Sequence, residues 1–336
     1  MITVENLSKS FQTSTGSVTA LHDVSLTVNP GSLYGVLGSP GAGKSTLTQL
    51  LALRERPDRG VVRFDGVNTG GLSGRALREV RGSLAVVDAA PTVHPERTVA
   101  GNIAAPLEQA GLSGPERRDR VGALLDLVGL TQKAGEPPNA LSAGQRRRVA
   151  VARALTTRPS VLLADDPTGD VPSEEHGAVL TVLDRARAEL GATVLVTTQD
   201  AGVVRRICEE VALLERGAVV EQGPLLEVIA DADGRAAREL LPAIETPRST
   251  GTGYDQVVDV VLIGFAAVGA LLPEAASRFD VDVSVIGGGL TRLGDTPAAR
   301  FRLGVRGERA DSALAWVADR GGYVTHTKRG PRGVAA

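Results

Sequence analysis

An α/β domain followed by a smaller α+β domain is the architecture that this sequence of 336 residues predicts, and three observations predict it. Short apolar strands alternate with amphipathic helical stretches up to about residue 240. The run RSTGTG at 248–253 is polar, glycine-containing and free of pattern, as a linker is. After it the elements restart in the order βαββαβ, the ferredoxin-like arrangement. The expected domains are residues 1–240 and 255–330, joined by a linker over 241–254.

The elements follow in order. Ile2 to Leu7, Leu26 to Val28 and Ser32 to Leu37 read as strands, the last two parted by the turn Asn29-Pro30-Gly31. A helical pattern runs from Ser45 to about Arg54 and stops at Pro57-Asp58-Arg59-Gly60. Val61 to Phe64 is a short strand with Asp65-Gly66 as its turn. Val121, Leu124, Leu125 and Val128 make one face of a helix over 115–128, and Leu141 to Leu155 is a second helix. Val161 to Ala164 and Thr193 to Thr197 have the length and apolarity of buried parallel strands. The second domain reads as strand Val257–Phe265, helix Pro273–Phe279, strands Val281–Gly287 and Arg300–Val305, helix Arg309–Arg320 and strand Tyr323–Thr327. No internal repeat is present.

Composition narrows the function. Hydrophobic residues are 42% and charged residues 23%, which excludes wholesale disorder. Lys+Arg 37 against Asp+Glu 39 leaves a net charge of -2, without the basic field that nucleic-acid binding needs, so no nucleic-acid partner is expected. The single cysteine, Cys208, excludes a disulfide framework or a zinc-thiolate cluster. The opening MITVENLSKS lacks the features of a signal peptide, and the apolar stretch Val260 to Leu272 is too short for a membrane helix. A cytosolic protein is expected, reaching a membrane only through a partner.

The strongest motif is Gly38-Ser39-Pro40-Gly41-Ala42-Gly43-Lys44-Ser45-Thr46, a match to G-x-x-x-x-G-K-[ST] placed after a strand and before a helix. Its glycines let backbone N–H groups turn inward around phosphates, and the following helix aims its positive end at the same anion. Lys44 is expected to reach the β- and γ-phosphates of ATP, and the Ser45 hydroxyl to ligate Mg²⁺. Val161-Leu162-Leu163-Ala164-Asp165 supplies the partner carboxylate: Asp165 ends an apolar strand, at the side of the sheet where ligands bind. Asp166 follows it and is the expected general base for the attacking water.

A third motif brings in a family. Leu141-Ser142-Ala143-Gly144-Gln145, followed by RRRVAVARAL at 146–155, resembles the signature sequence of ATP-binding cassette (ABC) ATPases. Ser142 is a good N-cap and Gly144 permits close backbone approach. The resemblance implies that this helix end, with Ser142, Gly144 and Gln145, binds the γ-phosphate of ATP held by a second copy, so that two cassettes close face to face. It also implies that Phe11 stacks on adenine and that the stretch Thr98 to Leu107 meets membrane subunits.

Several positions depart from the family pattern. Asp88 stands where the Q-loop glutamine is expected, Asp166 where the catalytic glutamate is, and Gln199 where the switch histidine is. Gly169-Asp170-Val171-Pro172 replaces the usual D-loop, and Ala143 the first signature glycine. Asp166 is one methylene short, and Gln199 carries no positive charge. Asp88 is able to ligate Mg²⁺ but brings negative charge towards a triphosphate. A displaced general base costs about 10²–10⁴ in rate. ATP binding is expected to survive, with slow turnover.

The second domain narrows the family further. The stretch TGYDQVVDVVLIGFAAVGALLPEAASRFDVDVSVIGGGLTRLGD at 252–295 resembles the ligand-sensing domain of methionine importer ATPases. The stretches 21–47 and 203–223 are similar to the same subfamily. The resemblance implies an ATPase subunit of an amino-acid importer, with methionine as substrate and as inhibitor bound at the C-terminal domain. Two copies would dock beneath membrane permease subunits at the cytoplasmic face, fed by an extracytoplasmic binding protein. In that reading Asp166, Gln199 and Asp88 are the catalytic and γ-phosphate-sensing residues, and Ser45 and Asp165 the metal ligands. The alternative reading is a hydrolysis-impaired nucleotide-binding module that regulates a partner.

Overall fold

The computed structural model describes residues 1–14, 16–90, 93–245 and 253–325. They fall into two compact units, Met1–Gln222 and Gly223–Ala336. No helix among the described residues is long and apolar enough to cross a membrane.

The first unit runs through β1 (Ile2–Thr13), β2 (Gly16–Val28), β3 (Leu33–Leu37), α1 (Lys44–Leu51), β4 (Arg59–Phe64), β5 (Val67–Asn68), α2 (Gly74–Gly82), β6 (Leu84–Val87), α3 (Val99–Gln109), α4 (Gly114–Leu127), α5 (Ala143–Ala154), β7 (Val161–Asp165), α6 (Ser173–Leu190), β8 (Thr193–Thr198), α7 (Ala201–Ile207), β9 (Glu210–Glu215) and β10 (Ala218–Pro224). Two sheets result, one in the order β2-β1-β4-β5 and one in the order β10-β9-β3-β8-β7-β6. The first sheet's strand pairs are antiparallel. In the second, β9, β3, β8, β7 and β6 run parallel. Every residue of β3, β7 and β8 is buried, which explains their unbroken apolar runs. Leu47, Leu50 and Leu51 of α1 pack with residues from both sheets in one core. On the other side of the parallel sheet a second core takes Val99 and Ile103 of α3, Val149 and Val151 of α5, and Leu180 and Leu183 of α6.

Local chemistry sets the boundaries. Asp65 (φ 47°) and Gly66 (φ 81°) both take left-handed backbone, the two-residue hairpin turn that their types predict. α6 ends where Gly191 adopts φ 68°. β2 is much longer than the three residues read from sequence, because its first residues lie against β1 with few of them buried and show little apolar alternation. α2, α3, α6 and α7 were not among the expected elements. α2 buries none of its residues, so it has no fully buried stripe to betray it.

The second unit opens with α8 (Leu225–Val228) and α9 (Arg235–Leu240), followed by β11 (Gln256–Ile263), α10 (Phe265–Val268), α11 (Leu271–Phe279), β12 (Asp282–Leu293), β13 (Thr296–Arg306), α12 (Ala310–Ala318) and β14 (Gly322–Thr325). Its sheet has the order β12-β13-β11-β14 with antiparallel pairs, the ferredoxin-like arrangement expected. Val258, Val260 and Leu262 face Ala275 of α11 and Ala313, Leu314 and Val317 of α12. Gly264, at φ 65°, ends β11 and leaves Phe265 outside the strand that was read through it. The expected linker at 248–253 lies outside the described residues except for Gly253, as do the last two residues of the expected strand 323–327.

The division between units falls at Gln222, whereas the sequence reading kept residues up to 240 with the first domain. Contacts explain the grouping. Arg300 Nε donates to Ala232 O at 3.1 Å, and the Pro242 ring lies over Gly289 of β12. Ala232 and Pro242 therefore touch the sheet face opposite α11 and α12. That face also carries a buried ion pair, Arg302 bound to both carboxylate oxygens of Asp259 at 2.7 and 2.8 Å.

Candidate nucleotide site

Three adjacent parallel strands, β3, β8 and β7, bring their carboxyl ends together, the place where open α/β sheets bind ligands. The chain leaves β3 through the glycine-rich loop. Gly41 and Gly43 have φ 79° and 105°, and a side chain at Gly43 would run into Ala20 O and the Leu21 side chain. Glycine is required there because the loop is both left-handed and pressed against β2. Helix α1 then starts at Lys44, its N-terminus at the loop.

Lys44 Nζ donates to Gly38 O at 2.6 Å and Ser39 O at 3.0 Å, so the ammonium arches over its own loop. Burial pulls its pKa below the ordinary lysine value, and the charges of Asp166 and Asp165 oppose that fall. Ser45 is exposed and Thr46 half-buried at the start of the helix. Asp165 is buried at the end of β7 and accepts from Thr197 Oγ1 at 2.6 Å. Thr197 Oγ1 in turn lies 3.4 Å from Thr48 Oγ1, one turn after Lys44. The two threonines tie β7, β8 and α1 together and fix the carboxylate.

A magnesium ion takes few protein ligands and keeps waters and phosphate oxygens for the rest of its shell. The donor set fits: one exposed hydroxyl, Ser45, and one fixed carboxylate, Asp165. Among the described residues no cluster of three or more His, Cys, Asp or Glu forms an all-protein metal cage.

Asp166 has φ 44°, a left-handed backbone held by its N–H donating to Thr197 O at 2.8 Å. Its carboxylate turns back towards β8, accepting from Thr198 Oγ1 at 3.4 Å, and fills the space beside Gly169 that a Cβ would need. Burial pushes the Asp166 pKa above the usual carboxylate range; the Thr198 bond pulls the other way, and Asp165 adds to the rise. Gln199 is exposed directly after β8. The next residue, Asp200, caps α7 through Gly202 N–H at 2.7 Å and lies 3.6 Å from His176 Nδ1.

Asp88 stands at the end of β6 with both oxygens on Arg54, at 2.6 and 3.3 Å. Its negative charge is therefore balanced from within the chain. Arg147 of α5, almost fully buried, donates to Asp88 O at 2.9 Å and also to Ala89 O. The sequence reading missed Arg54 and Arg147; neither their spacing nor their residue type marks them among 37 basic residues. Phe11 on β1 is 38% exposed, with the Lys9 ammonium 5.2 Å from its ring centre.

The signature segment forms a complete capping box. Ser142 Oγ accepts from Gln145 N at 3.2 Å, and Gln145 Oε1 accepts from Ser142 N at 3.0 Å. Gly144 N–H donates to Glu175 Oε2 at 2.7 Å, a contact between residues that nothing in their spacing connects. A cleft of about 520 Å³ adjoins this helix end, lined by Val93, Asn139, Ala143, Arg146, Arg147 and Asp170 among others.

Known proteins match this chain along most of its length. The sequence model of the ABC transporter family matches residues 21–169, and that of the NIL domain matches residues 256–325. The methionine import ATP-binding protein MetN of Thermobifida fusca (strain YX) is 40% identical over 320 residues, 95% of this chain and 98% of that protein. Its counterpart from Myxococcus xanthus (strain DK1622) is 39% identical over 96% of this chain and 97% of its own. Among solved structures, the dimeric bacterial ABC transporter cassette MJ0796 matches with a TM-score of 0.61 at 32% identity, covering 67% of this chain and 98% of that one. A post-hydrolysis dimer of the same cassette, bound to ADP and Pi, matches at 0.60 and 31%, again over 67% of this chain and 98% of that one.

Proposed function

Because this chain belongs to the ABC transporter family, among its methionine import ATP-binding proteins, we propose that it is the ATP-binding and ATP-hydrolysing subunit of a methionine importer. The observation that carries this reading is the convergence of the phosphate loop, Asp165 and Asp166 at the carboxyl ends of β3 and β7, in a chain that matches these relatives over both of its units. The proposed organisation is a cassette followed by a ligand-sensing domain over about 255–330.

The residues divide the work by their chemistry. The loop amides of Gly38 to Gly43, Lys44 and the α1 N-terminus bind the phosphates, with Ser45 and Thr46 at the head of the helix and Phe11 against the base. Ser45 and Asp165 would hold Mg²⁺, which when bound would supply positive charge to the phosphate oxygens. Asp166 takes the proton of the attacking water, and Gln199 donates to the γ-phosphate. Asp88, paired with Arg54, sits beside the site as a neutralised carboxylate. The Ser142–Gln145 helix end receives the nucleotide of a second copy, so the working unit is a homodimer docked on permease subunits at the cytoplasmic membrane face. The short reach of Asp166, already turned onto Thr198, favours slow turnover.

Transport tests the reading. Proteoliposomes carrying the full chain with its permease subunits, and supplied with the substrate-binding protein outside, are expected to take up labelled methionine with MgATP inside. Lys44→Ala is expected to abolish uptake, and excess methionine on the ATPase side to slow ATP turnover. Uptake without dependence on Lys44 would refute the site. ATP turnover indifferent to methionine would leave the second domain a dimerisation module.

A further inference from the structure

The N-terminus of α5 already holds an anion, and that anion belongs to the same chain. Glu175 Oε2 accepts from the Gly144 amide at 2.7 Å. The neighbouring Ser142 hydroxyl and the Gly144 amide, with Arg148 and Arg146 nearby, hold the pKa of this carboxylate below the usual range. A Cβ at position 144 would lie 2.6 Å from Glu175 Oε2, so the approach depends on glycine.

Local sequence explains why Glu175 is free to reach across. It is the third residue of α6, from which a glutamate ordinarily folds back onto the amide of its own N-cap. The N-cap of α6 is Pro172, which has no N–H to offer. The carboxylate instead satisfies the amide of the neighbouring helix. Helix α5 spans twelve residues, long enough for its terminus to favour negative charge.

The Ser142 hydroxyl and the Gly144 amide are the donors through which a signature helix would receive the phosphate of a second copy's nucleotide. We propose that Glu175 is a built-in competitor for that phosphate, so that nucleotide-driven closure of two copies must first displace its carboxylate. Two anions cannot share these donors, because like charges at contact distance repel. Rotation of a half-exposed side chain is enough to release the position, with the α6 backbone left in place. Glu175 thereby sets the nucleotide concentration at which the copies associate. This inference rests on the face-to-face dimer described above.

Sedimentation of the full chain across a series of concentrations of a non-hydrolysable ATP analogue with Mg²⁺ reads the midpoint of dimer formation. Glu175→Gln keeps the shape and an acceptor for Gly144 but removes the charge. Its midpoint is expected at least about tenfold below that of the wild type, the scale of one charge-assisted hydrogen bond. Glu175→Ala removes the competitor outright and is expected to shift the midpoint in the same direction. Lys44→Ala serves as the control that association needs bound nucleotide. Equal midpoints for wild type and Glu175→Gln, or a higher one for the variant, would overturn the competitor while leaving the dimer standing. Absence of nucleotide-driven association in wild type and both Glu175 variants would overturn the dimer reading and the competitor together.

Discussion

Replacing Asp259 by Ala in the second unit should cost about 3–5 kcal/mol, because it breaks a buried ion pair from one side. The side chains of Asp259 and Arg302 are 1% and 9% exposed and meet at 2.7 Å. Arg300 lies two residues along the same strand and is also buried, its pKa lowered by burial and supported by the Asp259 charge. Losing the carboxylate therefore removes a negative charge that both buried guanidinium groups face. A Coulomb estimate for charges about 4 Å apart at an effective dielectric of 20 gives about 4 kcal/mol, in agreement. In a unit of this size each kcal/mol moves Tm by about 4–8 °C, so a fall of more than about 12 °C is expected. The assay needs no engineering. Trp316 is the single tryptophan of the sequence; it lies on α12, edge-on to Phe279 at 6.3 Å, and its fluorescence reports the second unit. Asp259→Leu combined with Arg302→Met should recover most of the loss, since paired apolar residues replace a buried ion pair at little cost. A shift below about 1 kcal/mol for Asp259→Ala in urea titrations would refute the buried pair as the organiser of that face.

Three further outcomes concern the nucleotide site. Lys44→Ala should abolish MgATP binding in calorimetry while the thermal midpoint of the chain stays within a few degrees; equal affinity would sink the site. Asp166→Glu with Gln199→His should raise the single-turnover rate at least about tenfold, or about 1.4 kcal/mol in barrier, with non-additive single effects. An unchanged rate would mean that reach to the water is not the limit. Burial raises the Asp166 pKa above that of the unfolded chain, against the pull of its Thr198 bond. The folded state therefore binds this proton more tightly, and stability falls as pH rises from the ordinary carboxylate value through the raised one. Asp166→Asn should flatten that part of the urea-midpoint profile and stabilise the chain above it; a profile identical to wild type would contradict the burial.

Sequence alone determined the parts of this protein whose chemistry is local. The phosphate loop was legible because its glycines, lysine and serine act within nine consecutive residues, and backbone conformation there follows from residue type. The N-cap role of Ser142 was legible for the same reason, since the amide it accepts from lies three residues on, at Gln145. The order of the ferredoxin-like unit was legible because its apolar strand runs and helical stretches follow one another as short separate segments. Tertiary structure decided what distant residues do to one another. Asp88 reads in sequence as a charge facing a triphosphate, and only the fold places Arg54 against it. Glu175 stands in a stretch where the sequence suggested no element, yet in the fold Pro172 denies it an amide and the packing of α6 beside α5 supplies another. Residues 223–240 read as the tail of one domain, and the fold sets Ala232 among them against Arg300 of the next. The physical reason is common to all three. Residue type fixes which bonds a group is able to make, but the partner it finds depends on which strands and helices the core brings side by side.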